Sequence, residues 1–132
     1  MILLDTHVLV WWAGGDIQKL SEQASRALAA AQDDGRIYVS AISAWEIAAL
    51  VARGRIGLAL EPQAWLDEVG RSKAVEFVPL DNSIAVQSTR LPGDFHKDPA
   101  DRFIVATSRH IGVPVVTADD KILHYEHVKT IW

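Results

Sequence analysis

Acidic residues placed where strands should end are the chemically suggestive feature of this 132-residue chain. Asp5 follows the apolar run Ile2-Leu3-Leu4, and Asp119 follows Val115-Val116-Thr117-Ala118. Open parallel sheets build their sites just beyond the carboxyl ends of the strands, so both positions are informative. Glu46 falls in the first turn of a helix expected after the second strand, while Asp98 and Asp101 open the helix that precedes the strand carrying Asp119. Four segments thus deliver carboxylates to strand ends or helix starts. If they converge, they need a counter-charge to remain ionised together. The counter-charge suited to an all-oxygen set is Mg2+ or Mn2+. Such an ion activates water and offsets charge on a phosphate.

Each acid also has a purely structural reading. Ser43-Ala44-Trp45-Glu46 fits a capping box, in which Glu46 returns to the Ser43 amide. Asp98 before Pro99 reads as an N-cap with proline at the first helical position. That leaves Asp101 as the third helical residue, favoured there by the helix dipole and freer to face the strand ends. A single acid after a strand is often a solvated turn residue, so the functional reading rests on the four segments acting together. Arg53 and Arg55 follow the Glu46 helix, and Lys97, Arg102 and Arg109 surround the Asp101 helix. These cations could meet a phosphate backbone; solvated helix faces are the alternative.

The elements that must hold these residues are visible as short apolar runs alternating with longer stretches of helical period. Strands are expected at Ile2–Leu4, Ile37–Val39, Val75–Leu80, Val113–Thr117 and Val128–Ile131, rich in β-branched residues as doubly covered strands are. Helices are expected from Ser21 to Asp33 before Gly35, over Ala44–Arg53 behind Ser43, and from Pro62 through Val69. Two more are expected, one from Asp81 through Gln87 and one over Ala100–His110 before Gly112. Pro92–Lys97 reads as a loop. This alternation implies a single three-layer α/β domain with a parallel sheet of four to five strands flanked by helices.

Composition narrows the chemistry further. The chain has no cysteine, which removes disulfides, thiolate metal sites and a cysteine nucleophile. Seventeen acids against thirteen bases give a net charge of -4, which excludes a basic nucleic-acid coat but not a local patch. No apolar run reaches the roughly 18–20 residues that span a bilayer. The first apolar stretch is broken by Asp5 and His7, with no basic residue ahead of it, so no signal peptide is expected and the cytoplasm is the expected location. There is no phosphate-binding loop, no Gly-x-Ser-x-Gly elbow, and no His-Glu-x-x-His pattern for zinc. Trp11, Trp12, Trp45, Trp65 and Trp132 read as core or partner-facing residues, with base stacking the less favoured role.

Taken in order, four segments resemble PIN-domain ribonucleases. They are Met1-Ile2-Leu3-Leu4-Asp5-Thr6-His7, Val39-Ser40-Ala41-Ile42-Ser43-Ala44-Trp45-Glu46-Ile47, the stretch from His96-Lys97-Asp98-Pro99-Ala100-Asp101-Arg102 to Thr107, and Val115-Val116-Thr117-Ala118-Asp119. Asp98-Pro99-x-Asp101-Arg102 is similar to the form found in VapC toxins of VapBC toxin–antitoxin pairs. The resemblance implies a PIN-like fold and a Mg2+- or Mn2+-dependent endoribonuclease whose metal-binding acids match Asp5, Glu46, Asp101 and Asp119. Thr6 and Thr117 match hydroxyl positions beside the first and fourth acids. It also implies a homodimer and a cognate VapB-like antitoxin that inhibits the site. Asp120 directly after Asp119 is a departure that leaves the fourth ligand open to sharing or shifting. A non-toxin PIN nuclease that processes RNA is the nearest alternative. A phosphatase or phospho-accepting domain fits less well, because Asp5-Thr6-His7 lacks the second acid those sites use.

Overall fold

The computed structural model describes residues Met1–Trp132. Five strands, β1 (Ile2–Leu4), β2 (Ile37–Ser40), β3 (Val75–Val78), β4 (Val115–Val116) and β5 (Thr130–Ile131), form one sheet in the order β3-β2-β1-β4-β5. All neighbours run parallel, with Leu4 of β1 beside Val39 of β2 on one edge and Val116 of β4 on the other. The chain therefore builds outward from β1 in one direction and then returns to build on its other side. That reversal lies between β1 and β4, the two strands that end in Asp5 and Asp119. In open α/β sheets such a switch point is where a crevice opens.

Helices α1 (Thr6–Ala13), α2 (Glu22–Asp34), α3 (Ala41–Ala52), α4 (Pro62–Gly70), α5 (Asn82–Ser88), α6 (Pro99–Ile111) and α7 (Asp120–Leu123) cover the sheet, with one 3-10 turn at Ile17–Lys19. Alternate residues of a strand face opposite sides, and β1 divides its side chains accordingly. Ile2 and Leu4 join Val8, Leu9, Leu28, Ile47 and Trp65 in one core, while Leu3 joins Ile42, Ile104, Val113 and Val115 in another. A third cluster of Ile84, Val105, Ile122 and Tyr125 ties α5 and α7 to α6. The expected three-layer α/β architecture is the one observed.

The caps explain most helix boundaries. Ser21 accepts from the Ala24 amide at 3.1 Å, Asp81 from Ile84 at 2.8 Å, and Asp98 from Asp101 at 3.1 Å. Pro62 and Pro99 open α4 and α6, and Gly112 closes α6 in the left-handed region at φ 73. One expectation is corrected. Ser40, not Ser43, caps α3 by accepting from the Ile42 amide at 3.2 Å, so the helix starts at Ala41 and Glu46 stands in its second turn. Ser43 is fully buried inside the helix and is no cap. Helix α1 has no counterpart among the expected elements: Val8-Leu9-Val10-Trp11-Trp12 forms a helix that strand-like composition hides. Three strands are shorter than expected. Pro79, which lacks an N–H, follows the last residue of β3, and β4 and β5 extend only as far as their partners.

Candidate active site

Asp5 caps α1 at the end of β1 and is 7% exposed. Its Oδ1 accepts from the Thr6 amide at 2.8 Å, and its Oδ2 accepts from the Thr117 hydroxyl at 2.6 Å. Thr117 Oγ1 also accepts from the Asp119 amide at 3.0 Å, so one hydroxyl beyond β4 fixes both acids of the switch point. Thr6 and Ser43 share a hydroxyl–hydroxyl bond of 2.9 Å that locks α1 to α3. Glu46 lies three residues beyond Ser43 and hence on the same face of α3. Asp98 caps α6, and Asp101 sits in its first turn. Asp5, Glu46, Asp98, Asp101 and Asp119 line one cleft of about 320 Å3, walled on one side by His7 and Trp11. The four segments singled out in the sequence thus converge.

Asp120 is exposed at the first position of α7 and does not line the cleft; Asp119 does. Asp119 Oδ1 accepts from the Lys121 and Ile122 amides at 2.8 and 3.3 Å. The capping bonds of Asp5, Asp98 and Asp119 therefore aim these carboxylates before any ligand arrives.

Crowding like charges in a partly dry cleft carries an electrostatic cost. Burial pushes Asp101 up to about 7, and Asp5, Asp98, Asp119 and Glu46 push it the same way. Asp5 is raised by burial against the pull of its bonds from Thr117 and Thr6. Glu46 is raised by burial, with the Thr6 hydroxyl opposing and Asp5 adding. No three of these side chains close on one point as a ready ligand shell. The donors are all hard carboxylate oxygens, the set that suits Mg2+ or Mn2+ and not zinc.

His96 is a neighbour that spacing alone does not single out. Its Nε2 lies 2.9 Å from Asp101 Oδ2 at a buried position, yet it makes no aligned hydrogen bond there. It is a close contact rather than a directed bond. The loop that brings it there is held by Arg102, whose Nε donates to the Ser88 carbonyl at 2.8 Å and whose Nη1 donates to the carbonyls of Phe95 and His96 at 2.9 and 3.1 Å. Those bonds turn Arg102 toward the loop, against the expectation that it faces a phosphate. Lys97 is exposed beside Asp98. Arg53 closes α3 roughly 10 Å along the axis from Glu46, given a rise of about 1.5 Å per residue. None of these three cations lines the cleft.

Arg102→Leu is therefore expected to destabilise the fold by about 2–3 kcal/mol, because charge-assisted bonds to carbonyls are lost together. Arg102→Lys should recover little, since it keeps the charge without the planar fork. Urea unfolding of both variants checks this. An Arg102→Lys variant with wild-type stability and weakened RNA binding would return Arg102 to the phosphate-contact role.

The PIN domain family matches residues 2–128 of the chain. The chain is 37% identical to Ribonuclease VapC22 of Mycobacterium tuberculosis over 99% of its own length and 98% of the relative's. The chain belongs to the PIN-domain family. Its fold is shared with the VapBC2 complex of Rickettsia felis bound to a promoter DNA fragment, at a TM-score of 0.70, 16% identity and coverage of 98% and 97% of the two chains. It is likewise shared with Mycobacterium tuberculosis VapC20, a toxin that cleaves the sarcin–ricin loop, at a TM-score of 0.65, 18% identity and coverage of 98% and 99%. The cleft of this PIN domain occupies the switch point that the strand order dictates, and no helix is long and apolar enough to cross a membrane.

Proposed function

We propose that this PIN domain is the toxin of a toxin–antitoxin pair, an endoribonuclease dependent on Mg2+ or Mn2+. The observation that supports it most is the convergence of five carboxylates from four segments on one cleft, where burial and the neighbouring acids push Asp101 up to about 7. Asp5, Glu46, Asp101 and Asp119 would hold the ion. When bound, it supplies activation of water and charge neutralisation at the scissile phosphate. Asp5 is the anchor, immobilised by Thr6 and Thr117. Asp98 holds the start of α6 so that Asp101 faces the cleft, and Thr117 sets Asp119 relative to Asp5. Lys97, exposed beside Asp98, would meet the RNA backbone outside the cleft, with Arg53 farther away.

The same reading assigns a VapB-like antitoxin as partner and self-association as a dimer, in the cytoplasm where the RNA is. Trp45, 60% exposed beside Glu46 on α3, and Val86, 44% exposed on α5, offer apolar surface for such contacts.

Purified chain is expected to cleave total bacterial RNA in Mg2+ or Mn2+, to stop when the metal is chelated, and to lose at least a hundredfold in rate in Asp5→Asn. Expression of the wild type, but not of Asp5→Asn, should arrest bacterial growth. A folded chain inert toward RNA in both metals would overturn the proposal.

A further inference from the structure

We propose that His7 and Trp11 form a stacking platform for a nucleobase next to the scissile phosphate, an inference that rests on the ribonuclease reading and adds how that site holds its substrate. Both rings belong to α1, one helical turn apart, and both line the carboxylate cleft. Their centroids are 6.1 Å apart with planes tilted by 50°. Trp11 is braced from behind by Trp132 at 6.1 Å and 50°, and Lys19 Nζ lies 6.0 Å from the Trp11 ring centre. Val8 and Leu9 are fully buried in the core, so the helix cannot turn and the aromatic wall is fixed relative to Asp5.

The chemistry of the cleft says what such a wall is for. Its carboxylates attract cations, and only with a cation present does the cleft accept a phosphate; none of them offers a face to an apolar or planar group. His7 and Trp11 are the aromatic rings on its rim, and His7 is exposed. A polynucleotide carries a planar base one ribose away from every phosphate, and base–aromatic stacking is tolerant of base identity. Lys19, exposed beside the Trp11 ring and 3.9 Å from Asp16 Oδ2, is a cation next to the platform. A tight fit to double-stranded RNA is not implied, since stacked, paired bases present no free face.

The test uses the full chain as Asp101→Asn, to prevent cleavage, in Mg2+. Its probes are a fluorescent single-stranded RNA decamer of mixed sequence and an abasic ribose–phosphate decamer of equal length. Trp11→Leu and His7→Ala should each weaken decamer binding about tenfold, and Trp11→Phe should stay within about twofold of the parent. The abasic decamer should bind weakly throughout and be insensitive to all three changes. Because Trp11 packs on the core, melting temperatures are measured alongside, and the exposed His7→Ala keeps the result interpretable if Trp11→Leu does not fold. Equal binding of both decamers, or equal loss on both, overturns the platform. If His7→Ala and Trp11→Leu leave RNA binding intact but abolish binding of a co-expressed small protein, the wall is a protein-docking surface and the platform falls. A wild type that neither binds nor cleaves RNA overturns the nuclease reading itself, whereas one that cleaves total RNA but is indifferent to these changes overturns the platform alone.

Discussion

Asp101→Asn is expected to abolish RNA cleavage and, in metal-free buffer at pH 8, to raise rather than lower the melting temperature. Asp101 is pushed up to about 7 by burial and by four neighbouring acids, so its ionised form is opposed in the folded chain. Asparagine keeps the shape and removes the charge. Each tenfold change in proton affinity corresponds to roughly 1.4 kcal/mol, so the relief has an upper bound of about 4 kcal/mol, and solvent screening of this partly exposed side chain and its relaxation bring it well below that. The helix start survives, because the cap is the Asp98 side chain accepting from the backbone amide of residue 101. Asp98→Ala should behave in the opposite way. It loses the cap at a cost of about 0.5–2 kcal/mol and retains reduced activity. Melting and RNA cleavage measured on both variants check the division. An active Asp101→Asn beside an inactive, stable Asp98→Ala would exchange the two roles.

A second large effect is the response of the metal-free chain to pH. An ordinary aspartate releases its proton near 3.8, but Asp101 in the fold releases it near about 7. Between those values the folded chain holds a proton that the unfolded chain has given up. Stability therefore falls as pH rises from about 4 to about 7 and levels off above it. Asp5 and Glu46, both raised by burial, act in the same direction. Mg2+ or Mn2+ binds the ionised acids and should reverse the loss. At a hundred times the dissociation constant the gain is about 2.7 kcal/mol, or roughly 10 °C for a domain of this size. Calorimetry at pH 5 and pH 8, with and without metal, gives the answer. A metal-free melting temperature that climbs across this range, or one indifferent to millimolar metal at pH 8, would refute the assignment of the cleft as a cation site.

The strands and most helices are legible in the sequence because their signals are local. Ser21, Asp81 and Asp98-Pro99 each carry a cap that needs no tertiary partner, and β-branched runs mark the sheet. The Ser43-Ala44-Trp45-Glu46 motif misleads because Ser40, one residue before Ala41, is an equally good cap in sequence. Only burial shows that Ser43 is bonded to Thr6 instead. Helix α1 is hidden because five consecutive apolar residues have no polar face to reveal a 3.6-residue period. The convergence of Asp5, Glu46, Asp101 and Asp119 follows from strand ends and the early turns of the helices beside them, since topology places those together. The contacts of His96 and Arg102 do not follow, because the path of the loop over residues 88–96 decides what they touch. The aromatic wall is equally invisible: His7 and Trp11 meet the cleft only once α1 is known to be a helix.

The bond from Thr117 to Asp5 joins residues 112 positions apart. It makes the cleft a late product of synthesis. A chain emerging from the ribosome carries Asp5 first and Glu46 soon after, but β1 lacks its second neighbour until β4 arrives. Closing so long a loop is slow, and parallel pairing gives no local intermediate that could substitute for it. A nascent chain truncated before residue 115 lacks Asp119, leaves one side of β1 unpaired, and has no Thr117 hydroxyl to hold Asp5. On the ribonuclease reading, the cleft that would cut RNA is therefore complete only when nearly the whole chain has been translated.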